Sequence, residues 1–406
     1  MFKNNSNEFS ASPPLKIAII GAGIGGLATA IALMKKGFDV QVYEQAHALQ
    51  PVGAGLTLLP NGLNSLDAIK PGIVESLIDA GSQTRLLKLK KSTGEMIASK
   101  TITLMQEYGQ PMLNIRWSRL QEILASELPS DIIQLNHRCQ SFEQNDDGVK
   151  IYFDGANTVQ ADLLIGADGL NSAVRQVLIR DGSPNYAGRL SWRSVVKYSH
   201  ELLLPDESTL ITAPDGKNFL LVDVGDGYIF WSAGALSVGG TLASSATEVK
   251  SRVLEVFAGW AQPVQEIVNA TRADRIVERL ISDRPPLPSW SSGRVMLLGD
   301  AAHPMVPSLG QGANTAFEDA YELSECLANA PSLEAAFEAY EKSRILRTEV
   351  IYARSAFQGR RAYDADSETT LSQMMEQIQE VSSDEFDEWL FNYNPSARDF
   401  SVLNLS

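Results

Sequence analysis

The apolar run Ile17-Ala18-Ile19-Ile20 leads directly into Gly21-Ala22-Gly23-Ile24-Gly25-Gly26, after which Leu27, Ala30, Ile31 and Met34 recur at helical spacing. The run predicts a strand buried on both faces, and the recurrence predicts a helix from Leu27 to Lys36. A second strand follows over Asp39–Tyr43 and ends on Glu44. Further along, 81–105 alternates with β periodicity and Trp117–Leu128 is a short amphipathic helix, while 131–159 reads as strands around Asp146-Asp147-Gly148. The stretch 186–235 is β-rich, with runs such as Phe219-Leu220-Leu221-Val222 and Tyr228-Ile229-Phe230-Trp231. Thr247–Asn269 has helical spacing. The proline cluster at 285–288 then returns the chain to the buried strand Arg294–Leu298. Helices are expected over Gln311–Asn329 and from Ser332 to about Tyr363, before an acidic tail whose one aromatic cluster is Trp389, Phe391 and Tyr393.

These elements predict an α/β protein: a Rossmann-like nucleotide-binding domain, an interleaved β-sheet substrate domain and C-terminal helices. The expected nucleotide-binding segments are 15–80, 111–185 and 286–330; the substrate domain takes 81–110 and 186–285, and the helical region 331–406.

Composition narrows the partners. With 406 residues, 44% apolar and 20% charged, the chain has an ordinary globular make-up and is long enough for more than one core. A net charge of −15 disfavours nucleic acid and anionic membrane surfaces. Cys139 and Cys326 stand in no metal-ligand spacing, so neither a metal site nor a disulfide framework is expected. No apolar stretch approaches a membrane span, and the first 14 residues lack a signal-peptide core and read as a frayed leader. The expected location is the cytoplasm.

The chemistry begins at the glycines. Gly21 permits a tight turn, Gly23 presents no side chain to a pyrophosphate, and Gly26 lets the helix pack on the strand. Ile24 and its neighbours open the helix, whose N-terminal N–H groups and dipole favour phosphate. Glu44, 23 residues after Gly21, is placed to accept both hydroxyls of an adenosine ribose, with Gln45 beside it. The pattern recurs twice. Asp162-Leu163-Leu164-Ile165-Gly166-Ala167-Asp168-Gly169 is a strand ending in a small-residue turn, with Ser172 as a helix cap and Arg175 beyond. Gly299-Asp300 ends a third strand, where Asp300 can bind a ribityl hydroxyl. Pro307 and Gly310-Gln311-Gly312-Ala313-Asn314 then open a helix whose N–H groups suit the electron-poor edge of a flavin.

The three motifs in this order resemble the class A flavoprotein monooxygenases, the aromatic-hydroxylase family built on the p-hydroxybenzoate hydroxylase fold. The resemblance runs from about Lys16 to Tyr363. It implies FAD as cofactor, and NADH or NADPH as co-substrate without a nicotinamide domain of its own. It also implies hydroxylation of an aromatic or heteroaromatic small molecule with O2 through a C4a-hydroperoxyflavin. An epoxidase or heteroatom oxygenase is the alternative on the same scaffold; an NAD-dependent dehydrogenase and a non-catalytic flavin-binding protein are further removed. Pro51-Val52-Gly53-Ala54-Gly55 is similar to the family's loop beside the isoalloxazine, and Pro307 would shape the oxygen-reactive face. A monomer or homodimer is expected.

Candidate pocket residues are fewer. Arg193 reads either as an anchor for a substrate carboxylate or phenolate or as half of a structural salt bridge. His303 reads as a proton relay or as a packed ring, and no catalytic base is otherwise evident. Tyr198, Tyr228 and Trp231 are candidate pocket aromatics. Asn218 stands where urate-hydroxylating members carry an arginine, which disfavours urate. The family's FAD-contacting arginine, three residues before Leu120, is Trp117 here, flanked by Arg116 and Arg119. The aromatic tail is similar to that of hydroxynicotinate and salicylate-type hydroxylases.

Overall fold

The structure is a computed structural model that describes residues 14–49, 54–237, 239–360 and 382–393. The leader up to residue 13, Gly53 with the rest of 50–53, and positions 361–363 of the expected last helix lie outside the described residues.

Lys16–Ile20 is a central strand of a six-stranded sheet whose order is 291–292, 295–297, 163–166, 16–20, 39–43, 133–134. All neighbours in it are parallel except the edge pair formed by Ser291–Ser292 with Val295–Leu297. Both faces of this sheet are covered, so Ile17, Ala18, Ile19, Leu163, Leu164 and Ile165 are all buried, which explains their uninterrupted apolar run. The first helix spans Ile24–Lys35 and starts three residues earlier than its apolar spacing suggests, because Gly23 already holds the extended conformation of an N-cap. Helix Gly312–Asn329 crosses it; a Cβ on Gly25 would stand 3.2 Å from the Ala316 methyl.

The second large sheet has seven strands in the order 277–283, 185–197, 228–236, 218–223, 207–212, 86–91, 96–101. Residues 86–101 are thus supplied to this sheet from a distant part of the chain, Leu86–Lys91 lying parallel to Glu207–Thr212. Side chains alternate across it. Trp192, Phe219, Ile229 and Trp231 bury one face beneath two helices, Ala246–Val256 and Val264–Ala270. Phe219 and Trp231 stack with centroids 5.4 Å apart. The continuous helix expected over 247–269 is broken in two. Gly259 sits at φ +75° and Pro263 follows, and neither conformation nor residue extends an α-helix.

Helix Gly312–Asn329 is fastened to helix Leu333–Arg360 by buried charge. Arg344, fully buried, pairs with Glu318 at 2.6 Å and Asp319 at 2.7 Å; Arg347 also pairs with Glu318 at 2.7 Å. Burial alone would push both acids up, but Arg347 and Arg344 hold Glu318, and His303 and Arg344 hold Asp319, below the ordinary carboxylate range. The tail helix Ser383–Phe391, opened by a Ser382–Glu385 capping box, docks on the same charges. Arg347 lies 4.5 Å from the Trp389 ring centroid and 4.3 Å from that of Tyr393, whose hydroxyl donates to Glu322 at 2.7 Å. The aromatic tail is therefore a fastening. Removing one member of such a buried cluster strands the opposite charge. Arg344→Ala is expected to cost about 3–5 kcal/mol in chemical denaturation, whereas Arg119→Ala, at an exposed pair, is expected to change stability by less than about 0.5 kcal/mol.

Candidate functional site

A cleft of about 2650 Å³ runs between the two sheets and receives the ends of strands 16–20, 163–166 and 295–297. That is well above the roughly 300–1,000 Å³ of a single-ligand pocket, so it has room for a large cofactor and a second molecule. Its first wall is the glycine turn. Gly21 holds φ +105°, and a Cβ there would lie 2.5 Å from the Ala167 carbonyl oxygen. On Gly26 it would lie 2.1 Å from the Gly21 carbonyl oxygen. Gly23 differs: nothing in the protein lies within 4 Å of its added Cβ, and it lines the cleft together with Gly21 and Ile24. Gly21 and Gly26 are thus small for the protein's own backbone, and Gly23 for whatever occupies the cleft.

Glu44 stands at the end of strand Asp39–Tyr43, on the cleft wall next to Gln45. One carboxylate oxygen accepts the Ala22 N–H at 2.8 Å and the other the Ala46 N–H at 2.9 Å. Each keeps a lone pair for a ligand hydroxyl. Gln121, not singled out from the sequence, donates to the Ala22 carbonyl at 2.7 Å and lines the cleft beside Trp117. Of the three candidates around position 117, only Trp117 lines the cleft. Arg116 is held by Asp226 at 2.6 Å and lies 4.5 Å from the Tyr228 ring centroid, and Arg119 pairs with Glu122 at the surface.

Asp168 reaches the cleft, but its carboxylate mainly serves helix Ala173–Leu178, accepting from Ser172 Oγ at 2.5 Å and the Ala173 N–H at 2.7 Å. Ser172 caps that helix as its sequence position suggests, accepting from the Arg175 N–H. Arg175, fully buried, connects the second turn to the third. It donates to the carbonyls of Ala301 at 3.0 Å and Ala302 at 2.9 Å, while Asp181 accepts from its other side at 2.6 Å. Arg284 holds the second Asp181 oxygen at 2.9 Å. These bonds fix the turn that presents Asp300. Among the described residues no group donates to the Asp300 carboxylate, which opens into the cleft; the crowding of protein around it raises its pKa above the usual aspartate range.

The third motif divides. Gly310, Gly312 and Ala313 line the cleft, as do Pro307, Ala54 and Gly55. The side chains of Gln311 and Asn314 turn away. Gln311 Oε1 accepts from Asn61 at 2.9 Å, and Asn314 Oδ1 accepts the Leu59 N–H at 3.0 Å, while Gln311 Nε2 is buried without a partner off the cleft. His303 is off the cleft as well: buried, its Nε2 bonded to Asp319 at 2.5 Å and its ring tilted on Trp290 at 5.0 Å. Of the two readings of His303, the geometry favours the packed ring, since the ring does not reach the cleft.

On the substrate-sheet side, Arg193 and Asn218 line the cleft. Arg193 makes no ion pair or hydrogen bond among the described residues, its Nε is buried without a partner, and burial lowers its pKa below that of a free arginine. The expected aromatics are corrected. Trp231 faces the opposite core and donates to Thr271 at 3.0 Å, because alternation sends 230 and 232 to the cleft and 231 away from it. Tyr228 lies beneath Arg116 outside the cleft, and Tyr198 bonds to Glu266 at 3.2 Å. Phe230 lines the cleft in their place, packed so closely that a Cβ on Gly55 would meet its ring carbon at 2.6 Å. Glu349, from the long C-terminal helix, adds a half-buried carboxyl whose pKa is raised by burial. Among the described residues no cluster of ligating side chains could hold a metal.

Residues 15–355 match a family model described as an FAD binding domain. The chain is 35% identical over 334 residues to aurachin C monooxygenase/isomerase of Stigmatella aurantiaca, covering 82% of this chain and 86% of that protein. It is 33% identical over 348 residues to 6-hydroxynicotinate 3-monooxygenase of Pseudomonas fluorescens, covering 83% and 89%. Among solved structures, Klebsiella pneumoniae HpxO complexed with FAD and uric acid superposes with a TM-score of 0.82 at 27% identity, over 94% of this chain and 97% of that one. The residues on the cleft fit such a cofactor: an open glycine, a carboxylate with spare lone pairs and an unpartnered Asp300.

The glycines separate folding from binding. Gly23→Ala is expected to melt like the parent protein yet lose FAD affinity by at least tenfold, whereas Gly26→Ala is expected to lower the melting temperature as well. Thermal unfolding of apoprotein together with FAD titration by fluorescence quenching distinguishes the two.

Proposed function

This chain belongs to the family of FAD-dependent aromatic monooxygenases, and on that premise we propose that Arg193 draws the ionised oxygen of an aromatic or heteroaromatic substrate into its cleft. The observation that carries the reading is a partly buried guanidinium, with no partner among the described residues, on the cavity-facing side of the substrate sheet. Partly desolvated cations of this kind are compensated by an anion. A phenolate, a hydroxyheteroaromatic anion or a carboxylate satisfies it, and a ring bearing an ionised oxygen is electron-rich, as electrophilic oxygen insertion requires. Asn218, two residues before Leu220 on the same strand and also on the cleft wall, adds a neutral amide for the substrate's other polar atoms.

FAD, when bound, supplies electron transfer from NADH or NADPH and the activation of O2. The protein's own residues do the rest. Gly21, Gly23 and the N–H groups opening helix Ile24–Lys35 hold the diphosphate, and Glu44 the adenosine ribose. Asp300 accepts from a ribityl hydroxyl. The backbone N–H groups from Gly310 to Ala313 would hold one edge of the flavin ring, and Pro307 would shield that edge from water. Asp168 acts chiefly by rigidifying the middle turn. No helix among the described residues is long and apolar enough to cross a membrane. Cys139 and Cys326 are both buried and form no disulfide, and burial pushes the Cys139 thiol up to about 12, which makes it a poor nucleophile.

Anaerobic mixing of the holoenzyme with NADH or NADPH and a panel of phenols, hydroxypyridines and purines tests this reading. Flavin bleaching is expected to accelerate at least tenfold with a ring compound carrying an acidic oxygen. Arg193→Met is expected to abolish the acceleration while retaining bound FAD. Acceleration by neutral rings alone, or an unchanged response in Arg193→Met, contradicts it.

A further inference from the structure

The substrate sheet carries a directional row that the placement of an anionic ring at Arg193 leaves unused. Pairing sets Arg193 opposite Ser232, Ser232 opposite Leu220, Leu220 opposite Leu210 and Leu210 opposite Leu89. The row begins cationic and ends apolar. Adjacent strands lie about 4.8 Å apart, so Leu210 stands roughly 14 Å from Arg193, three strand steps away, on the same cavity-facing surface. Leu220 and Leu210 both line the cavity, and Leu210 is 38% exposed although it sits in a concave wall.

One exposed leucine is ordinary on a protein surface. Here it terminates a lane flanked on one side by wall positions that offer little surface. Ser208, two residues earlier on the same strand, and its cross-strand partner Val222 also belong to the cavity wall but are only 3% and 4% exposed, the Ser208 hydroxyl held 2.7 Å from that of Thr84. The open route from the polar end therefore leads over Leu220 to Leu210.

We propose that the row Arg193–Ser232–Leu220–Leu210 is a subsite for an amphipathic substrate, an acidic aromatic ring bearing an alkyl or alkenyl chain. This rests on the placement of the ring oxygen at Arg193. The ring occupies the Arg193–Ser232 end, and the chain covers the leucines and removes their apolar surface from water.

The test is titration of the FAD-loaded enzyme with 4-n-alkylphenols from ethyl to octyl, read by the absorbance change of bound flavin. Each methylene is expected to tighten binding about fourfold until the lane is filled. A terminal hydroxyl on the chain is expected to remove most of the gain. Leu210→Asn is expected to flatten the chain-length dependence, and Leu346→Asn, at an exposed leucine of helix Leu333–Arg360 that does not line the cavity, to retain it; FAD content reports folding in both. If 4-ethylphenol binds but affinity does not rise with chain length, the subsite is wrong and the Arg193 reading stands. The subsite is equally wrong if the dependence survives Leu210→Asn or is lost in Leu346→Asn. If no phenol perturbs the flavin, the placement at Arg193 fails and the subsite with it.

Discussion

Three parallel strands end side by side at Ile20, Gly166 and Leu297, and the turns that leave them have room for little beyond backbone. The spaces that Gly21 and Gly26 would need for a Cβ are filled by carbonyl oxygens at 2.5 and 2.1 Å. This steric constraint organises everything else on the cofactor side. It aims the first helix at the cleft and forces the Ala167-Asp168 turn against the glycine loop. At the same edge, Ala22 accepts from Gln121 and donates to Glu44. The same turn leaves the N–H groups that open helix Ile24–Lys35 at the cleft, where the diphosphate of FAD is proposed to lie.

Buried charge then holds the third turn in place. Arg175 grips the carbonyls of Ala301 and Ala302 across the sheet, and Asp181 is shared between Arg175 and Arg284. Behind it, Asp319 accepts both the Gly299 N–H at 3.1 Å and His303, and is itself held by Arg344. Asp300 and the helix start at Gly312 are thus fixed from two directions while Asp300 itself stays unpartnered. An unpaired acid survives at such a position because the rest of its turn is over-determined. The tail helix adds its hold through Arg347, so the far C-terminal aromatics stabilise the cofactor side without touching the cleft.

How much of this was legible in the sequence follows from the range of each interaction. The strand–glycine–helix unit, the acid at Glu44 and the Ser172 cap are local, and each lies where its spacing places it. The two-sheet, interleaved organisation was legible too, because uninterrupted apolar runs and alternating ones mark different kinds of sheet. Sheet facing was not. Phe230 and Trp231 are adjacent aromatics, and the choice of which enters the cavity is set by a register with strands 185–197 and 218–223 that only the folded pairing defines. The same holds for Gln311 and Asn314, whose amides are claimed by Asn61 and by the Leu59 backbone, 250 and 255 positions away. Arg175, Gln121 and Arg344 were invisible as site supports because their partners are distant carbonyls or acids. For Arg193 both a salt bridge and a ligand contact were open; among the described residues it forms no salt bridge, because no acid faces it from the neighbouring strands.

On the substrate side the proposed chemistry is the insertion of one oxygen atom from O2 into a ring held at Arg193. The most direct test is a turnover under 18O2, with reduced nicotinamide and the ring compound that best accelerates flavin reduction, followed by mass spectrometry of the product. One 18O atom on the aromatic ring for each nicotinamide oxidised is the expected result. Recovery of the ring compound without label, with all reducing equivalents appearing as hydrogen peroxide, would contradict it.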